Sequence, residues 1–343
     1  MSPSAARTGP AGSWPARTLW LVVAVLVLAA VVAASLAVGA KSIAVSTVVE
    51  ALTGFDGSGE HLVVRDLRVP RTLAGLLVGV GLGASGALIQ ALTRNPLADP
   101  GLLGVNAGAA LAVALGIGVF GVGSVGGHLW FAFAGALVAT LVVHLVATAG
   151  RGAVDPVRLT LAGVATGAVL VGVTSALMLL QPRTFDHMRG WNAGTLVGRG
   201  TDVVLTPLPF VAVGLVLALV AARSLNGIAL GEDVAASLGV RVHRTRAVAV
   251  LAVTLLAGAA TAIAGPVAFV GLMVPHVARR VVGPDQRWIL LYAIVLAPVV
   301  LLLADVVGRV ATSPGEVPVG IVTAFVGAPV LIALMRRKKV SGQ

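Results

Sequence analysis

The sequence predicts an all-α integral membrane protein with ten transmembrane helices and both termini on the cytoplasmic side. Three observations carry that reading. Hydrophobic residues make up 58% of the 343 positions and charged residues only 11%, with a mean hydropathy of +1.02. A soluble domain carries about twice that charged share. Several apolar runs reach the ~20 residues that a bilayer requires. Read as ten spans, they leave sixteen of the 24 lysines and arginines on inside segments and eight on outside segments. That is the direction in which positive flanks orient a membrane protein.

The first span covers 19–38, behind Arg7 and Arg17. No small-residue cleavage site follows a short apolar core, so the run reads as a retained span and not a removed signal. An outside segment, 41–71, follows, with a short surface helix expected at 45–52. Span two, 72–93, carries Gly75, Gly79 and Gly83 on one face, spaced for close helix contact. Asn95-Pro96 stops it, because a residue before proline is pushed out of the helical region. Asp99-Pro100 supplies a cap and first turn for span three, 101–120, with Gly104 and Gly108 again four apart.

Span four is 129–147, and an inside loop with Arg151 and Arg158 leads through Asp155-Pro156, a second cap-and-proline start. Span five, 159–180, has Gly163 and Gly167. A long outside loop is expected over 181–202. Span six is 203–222, span seven 247–264, ended by Gly265-Pro266. Span eight, 267–282, is short and interrupted by Pro275-His276. Span nine is 288–307, Ser313-Pro314-Gly315 turns outside, and span ten is 319–335, before Arg336, Arg337, Lys338 and Lys339.

Between spans six and seven lies a polar island, 226–240. Gly231 suits a helix N-cap, and Glu232 and Asp233 then fall in the first turn, where the helix dipole favours acids. Gly239 suits the residue that ends the helix. A two-turn amphipathic helix is expected, with Arg241, Arg244 and Arg246 holding it inside. It is either a capped connector or a knob on which a cytoplasmic partner pushes.

Catalytic chemistry is sparse. The chain has no cysteine, which excludes disulfides, thiolate metal sites and cysteine nucleophiles. Ala40-Lys41-Ser42 lacks the glycine and upstream spacing of a phosphate loop, and no His-Glu-x-x-His motif occurs. The histidines are scattered, and His276 reads as a packing residue. The net charge of +11 is spread over span ends, without aromatic interleaving, and does not point to nucleic acid. Asp305 is the one acid well inside a span, with Arg309 one turn on, as an i, i+4 pair. An ion-coupled transporter would need more intramembrane acids, and a membrane enzyme would need a nucleophile, metal or acid–base cluster. A transport path without such groups must draw energy from outside the membrane, which favours the knob.

Long blocks then resemble one family. They are Leu67-Arg68-Val69-Pro70-Arg71-Thr72, Thr93-Arg94-Asn95-Pro96-Leu97-Ala98-Asp99-Pro100, Leu230-Gly231-Glu232-Asp233 to Leu238-Gly239, Val274-Pro275-His276, and Ala304-Asp305 to Gly308-Arg309. In this order they resemble the FecCD family of permeases from ATP-driven importers of ferric siderophores, haem and vitamin B12, and most of all the ferric-enterobactin type. The resemblance implies a ten-helix type II ABC importer permease in the cytoplasmic membrane, spanning 19–337 between short cytoplasmic tails at 1–18 and 338–343. It implies two permease subunits side by side, here a heterodimer with a homodimer as alternative. Cytoplasmic ATPase subunits would dock on a coupling segment at 226–243, through Leu230, Gly231, Glu232, Asp233, Leu238 and Gly239. ATP is used by that partner, and no cofactor binds this chain directly. An extracytoplasmic siderophore-binding protein would dock on Arg68, Arg71 and Arg309. A cytoplasmic gate would use Asn95, Leu97, Pro156 and Val157.

Overall fold

A computed structural model describes residues 14–149, 156–312 and 315–339, with backbone alone at 156 and 334–339. Arg7, Arg151, Asp155 and the Ser313-Pro314 turn lie outside the described residues, as do most of the two expected tails. Among the described residues all regular structure is helical. The elements in order are α1 (Trp14–Ala37), α2 (Val45–Thr53), α3 (Gly59–Leu62), a π-helical segment (Val63–Arg68), α4 (Val69–Thr93), a 3-10 turn (Pro100–Leu103), α5 (Val105–Gly118), α6 (Val125–Thr148), α7 (Pro156–Leu180), α8 (Pro182–Asn192), α9 (Thr201–Leu205), α10 (Leu208–Ala229), α11 (Glu232–Ser237), α12 (Val242–Ala264), α13 (Val270–Val282), α14 (Gln286–Ala311) and α15 (Val319–Lys339).

Among the described residues seven helical stretches are long and apolar enough to cross a membrane: α1, the run ending in α4, α6, α7, α10, α12 and α14. The expected third, eighth and tenth spans fall on α5, α13 and α15, whose apolar stretches are shorter. The 13 residues of α13 rise only about 20 Å at 1.5 Å each, short of a bilayer core of about 30 Å. It is nonetheless a separate helix. Gly265 ends α12 at φ 77°, and Phe269 opens α13 at φ 68°, so the chain turns twice between them.

The bundle is built around α4, which packs against α14, α12, α13 and α10. The predicted glycine face explains its centrality. A Cβ on Gly75 would lie 2.5 Å from Leu302 Cδ2, and one on Gly79 would lie 2.5 Å from Pro298 Cα; one on Gly83 would strike Ala293 and Ala297. All four of those neighbours are on α14. A neighbouring face of α4 is equally bare. A Cβ on Gly81 would fall 2.7 Å from the Leu256 carbonyl of α12, and one on Gly86 would overlap the Gly271 backbone of α13. Lipid tails are as apolar as leucine, so helix association rests on such close backbone approach. Gly108 and Gly163 meet α6 and the 3-10 turn in the same way, but Gly167 has nothing within 4 Å. The spacing of four marked possible contact faces, and only some of them found a partner.

Two other expectations change. The 181–202 loop contains α8 and the start of α9. Pro182 sits at the N-terminus of α8, where its missing N–H costs nothing, and Thr184, Met188 and Trp191 bury one face at helical spacing. Span six is the run of α9 and α10, which meet at Pro207 and continue to Ala229, seven residues beyond the expected end. Asn226 therefore belongs to α10. Its Nδ2 donates to Asp285 Oδ1 at 2.8 Å and its Oδ1 accepts from the Gln286 backbone N–H at 2.8 Å, joining α10 to the start of α14.

The α4–α14 contact is testable. Gly79→Leu should lower stability in detergent by about 1–3 kcal/mol, the cost of overpacking a filled core. Gly167→Leu, on an open face, should change it by no more than about 0.5 kcal/mol. Equal thermal midpoints for the two variants would show that the glycine face does not set the approach.

Candidate functional site

The island folds as a short, doubly capped helix. Gly231 precedes α11 at φ 116° and Gly239 follows it at φ 79°, a conformation that L side chains rarely adopt. Gly239 N–H donates to the Ala236 carbonyl at 2.9 Å and Val240 N–H to the Ala235 carbonyl at 2.9 Å, the paired bonds of a Schellman termination. Ala235 is fully buried, whereas Leu230, Val234 and Leu238 are all exposed. Glu232 anchors the helix: its carboxylate accepts from Arg246 of α12 and lies 3.9 Å from Arg94 at the end of α4. The island is thus a knob with an exposed apolar face, tied to two of the most buried helices.

Arg94 also begins the connector after α4, in the left-handed region at φ 51°. Asn95 Oδ1 accepts from Leu97 N–H at 2.9 Å and the Asn95 carbonyl from Ala98 N–H at 3.1 Å. Asp99 caps the 3-10 turn by accepting from Gly101 N–H at 2.8 Å, and burial pushes its carboxyl above the usual carboxylate range. Asn95 and Leu97 are exposed, as is Val157 in the first turn of α7. Pro156 opens α7, and its side chain is outside the described residues. A cavity of about 360 Å³ borders Leu92, Thr148, Leu159 and Arg246. The ends of α4 and α6 and the starts of α7 and α12 therefore meet at the same end of the bundle as α11.

The three arginines that the resemblance implied for docking, Arg68, Arg71 and Arg309, line one cavity at the opposite end and are each engaged within the chain. Arg68 is 6% exposed; its Nη1 donates to the Leu36 and Ala37 carbonyls at 2.7 Å each, and its Nη2 donates to the Lys41 carbonyl. Arg309 is 3% exposed. Its Nε donates to Asp305 Oδ2 at 2.9 Å, and its Nη1 donates to the Ser35 carbonyl at 2.8 Å. Arg71 Nη2 donates to Asp305 Oδ1 at 2.8 Å and its Nη1 to Glu316 Oε2 at 2.6 Å. One carboxylate, Asp305, thus holds two guanidiniums, and the three arginines knit α1, α4 and α14 together. The carbonyls at the frayed end of α1 and a buried acid are stronger claims on these donors than solvent. The i, i+4 pair expected within α14 is present, but it is half of a three-helix cluster.

Arg199 is the residue that the sequence reading passed over. It borders a cavity of about 480 Å³ with Lys41, Arg68, Arg71, Arg309 and Glu316. Its Nε is buried without a hydrogen-bond partner among the described residues, and burial lowers the guanidinium's pKa. The available signal was an arginine between Gly198 and Gly200, in a connector flexible enough to fold it back. Among the described residues no cluster of three or more histidines or acids with metal-holding geometry occurs.

The cluster at Asp305 sets a stability prediction. Asp305→Ala should destabilise the detergent-solubilised protein by about 3–5 kcal/mol, because it strands two buried cations. A loss below about 1 kcal/mol would mean that both arginines find water instead.

The FecCD transport family model matches residues 26–337. The ferric enterobactin transport system permease protein FepD of Escherichia coli is 52% identical over 317 residues, 92% of this chain and 95% of that protein. A probable siderophore transport system permease protein of Bacillus subtilis, YfiZ, is 38% identical over 94% of this chain and 97% of its own length. An inward-facing structure of a metal-chelate type ABC transporter superposes with a TM-score of 0.82, at 26% identity, over 93% of this chain and 99% of that one. The chain belongs to the FecCD transport family, as a multi-pass membrane permease subunit of the ABC importer class.

Proposed function

We propose that this chain is one permease subunit of an ATP-driven importer that carries a ferric siderophore of the enterobactin type across the cytoplasmic membrane. The observation that carries the reading is the 52% identity to a ferric enterobactin permease over nearly the whole of both chains. The geometry supports it. The described residues offer a bundle poor in ionisable groups and one braced apolar knob at the end richest in lysine and arginine. A membrane part of this composition has no energy source of its own, so ATP is bound and hydrolysed by a separate cytoplasmic subunit. No cofactor binds this chain directly. Haem or vitamin B12, carried by other members of the family, are the alternative substrates.

In this reading the permease unit, 19–337, crosses the membrane ten times with both termini inside. The short helices α5, α13 and α15 complete their crossings with flanking chain. The coupling segment, 226–243, presents Leu230, Val234 and Leu238 to a groove on the ATPase. Glu232 passes the push to α12 through Arg246 and to the end of α4 near Arg94. Asn95, Leu97, Pro156 and Val157 form the gate where the ends of α4 and α7 meet. A second, different permease lies against the outward face of α7, which is largely unburied, and the siderophore passes between the two subunits. A siderophore-binding protein docks at the opposite end, over the cavity that Arg199 borders. Arg68, Arg71 and Arg309 hold the rim of that cavity in shape.

Uptake of radiolabelled iron, offered with a panel of siderophores to cells lacking their own permease, tests the function. Catecholate siderophores should be taken up when the partner subunits are co-expressed. Glu232→Arg or Gly239→Pro should abolish uptake at an unchanged membrane level. Uptake limited to haem or vitamin B12, or full uptake by both variants, contradicts the assignment.

A chain without cysteine makes the gate accessible to labelling. Cysteines placed at Asn95 or Leu97 should crosslink to the second permease in the resting transporter, and a bulky thiol label there should block uptake by at least tenfold. Free labelling with full uptake and no crosslink would remove these residues from the gate.

A further inference from the structure

We infer that the trough between α6 and α12 binds an anionic phospholipid, with the headgroup at the end of the bundle that carries α11. Two adjoining cavities form it, of about 360 and 390 Å³, and both are lined by His144, Ala247 and Val250. The first, at the helix ends, is bordered by His243, Arg244 and Arg246 together with Thr148. The second continues along the membrane-facing surface between Val138, Leu141 and Leu251. The trough therefore changes along its length from basic to mostly apolar, with Thr140 and Thr254 as the hydroxyls of its far part.

That gradient selects an amphiphile. Basic pockets between transmembrane helices suit the phosphate of an anionic lipid headgroup, and juxtamembrane arginines attract anionic leaflets. From Arg244 to Leu251 the helix advances about 10 Å at 1.5 Å per residue, so a phosphate at the former leaves an acyl chain running past the latter. Arg246 is engaged by Glu232, but His243 and Arg244 are exposed, and among the described residues no acid lines either cavity. His144 stands where the two cavities join. Its Nδ1 is buried and has no hydrogen-bond partner among the described residues. A buried ring nitrogen without a partner is costly, and a headgroup phosphate or ester oxygen reaching down from Arg244 would meet it. Free inorganic phosphate shares the headgroup chemistry but would leave the apolar length of the trough empty.

Retention of lipid by the purified full-length chain, read by native mass spectrometry, tests the site. The probes are phosphatidylglycerol, phosphatidylcholine and inorganic phosphate. One phosphatidylglycerol should bind at least tenfold more tightly than phosphatidylcholine, and inorganic phosphate should not displace it. The double variant His243→Gln, Arg244→Gln, on exposed side chains, should bring phosphatidylglycerol down to the phosphatidylcholine level. Ala247→Trp, which blocks the trough without changing charge, should do the same. Arg287→Gln, an exposed arginine away from the trough, should retain the lipid. Equal affinity for the two lipids, displacement by inorganic phosphate, or the same loss in Arg287→Gln overturns the proposal. So does full retention in the double variant accompanied by loss of ATPase co-purification, which would assign these cations to a protein contact.

Discussion

Close approach of backbones around α4 is the constraint on which the rest depends. In hydrocarbon there is no hydrophobic gain from hiding leucine against leucine, so a buried helix must be held by contact between surfaces that fit. Gly75, Gly79 and Gly83 let α14 lie directly on α4, and Gly81 and Gly86 admit α12 and α13. Those neighbours in turn carry Asp305, Arg309 and Arg246. Every charged contact described above presupposes that α4 is bare enough to be surrounded.

The few charges inside the bundle then act as fasteners at its two ends. A charge near hydrocarbon is costly unless it is paired. At one end Asp305 satisfies Arg71 and Arg309, and carbonyls left open at the end of α1 satisfy Arg68 and Arg309. At the other end Glu232 lies between Arg246 and Arg94. The two clusters differ in exposure. Asp305 is 1% exposed, whereas Glu232 is 38% exposed. A sealed cluster fixes geometry, while a half-open one can be worked by a partner. That contrast suits a protein driven from one face and loaded from the other.

If α11 is the coupling element proposed above, such coupling needs little structure. Six helical residues are held in one orientation by a positive-φ glycine at each end and one buried alanine. Rigidity at the caps matters more than length, because a flexible connector would absorb a push and not transmit it. Leu230, Val234 and Leu238 are outward and Glu232 is joined to α12, so the knob is connected to the membrane helices through an ion pair and a short turn.

Much of this was legible in the sequence by itself. Bilayer thickness located the seven long apolar helices, and prolines and glycines marked ends at Asn95-Pro96, Asp99-Pro100, Gly231, Gly239 and Gly265-Pro266, because these residues restrict or free the backbone locally. Blocks of the same residues in the same order identified the family. Local rules also contained α8, in the spacing of Thr184, Met188 and Trp191, although the polar composition of the segment concealed it. What only the tertiary structure decided was where long side chains point. Arg68, Arg71, Arg199 and Arg309 look alike on paper and all line one cavity, yet three are held by carbonyls or acids while the Nε of Arg199 has no hydrogen-bond partner among the described residues. Arg71 finds Asp305 across 234 positions of sequence, and Gly75 meets α14 whereas Gly167 meets nothing. Such outcomes depend on which helix ends converge in space, and no local propensity contains that information.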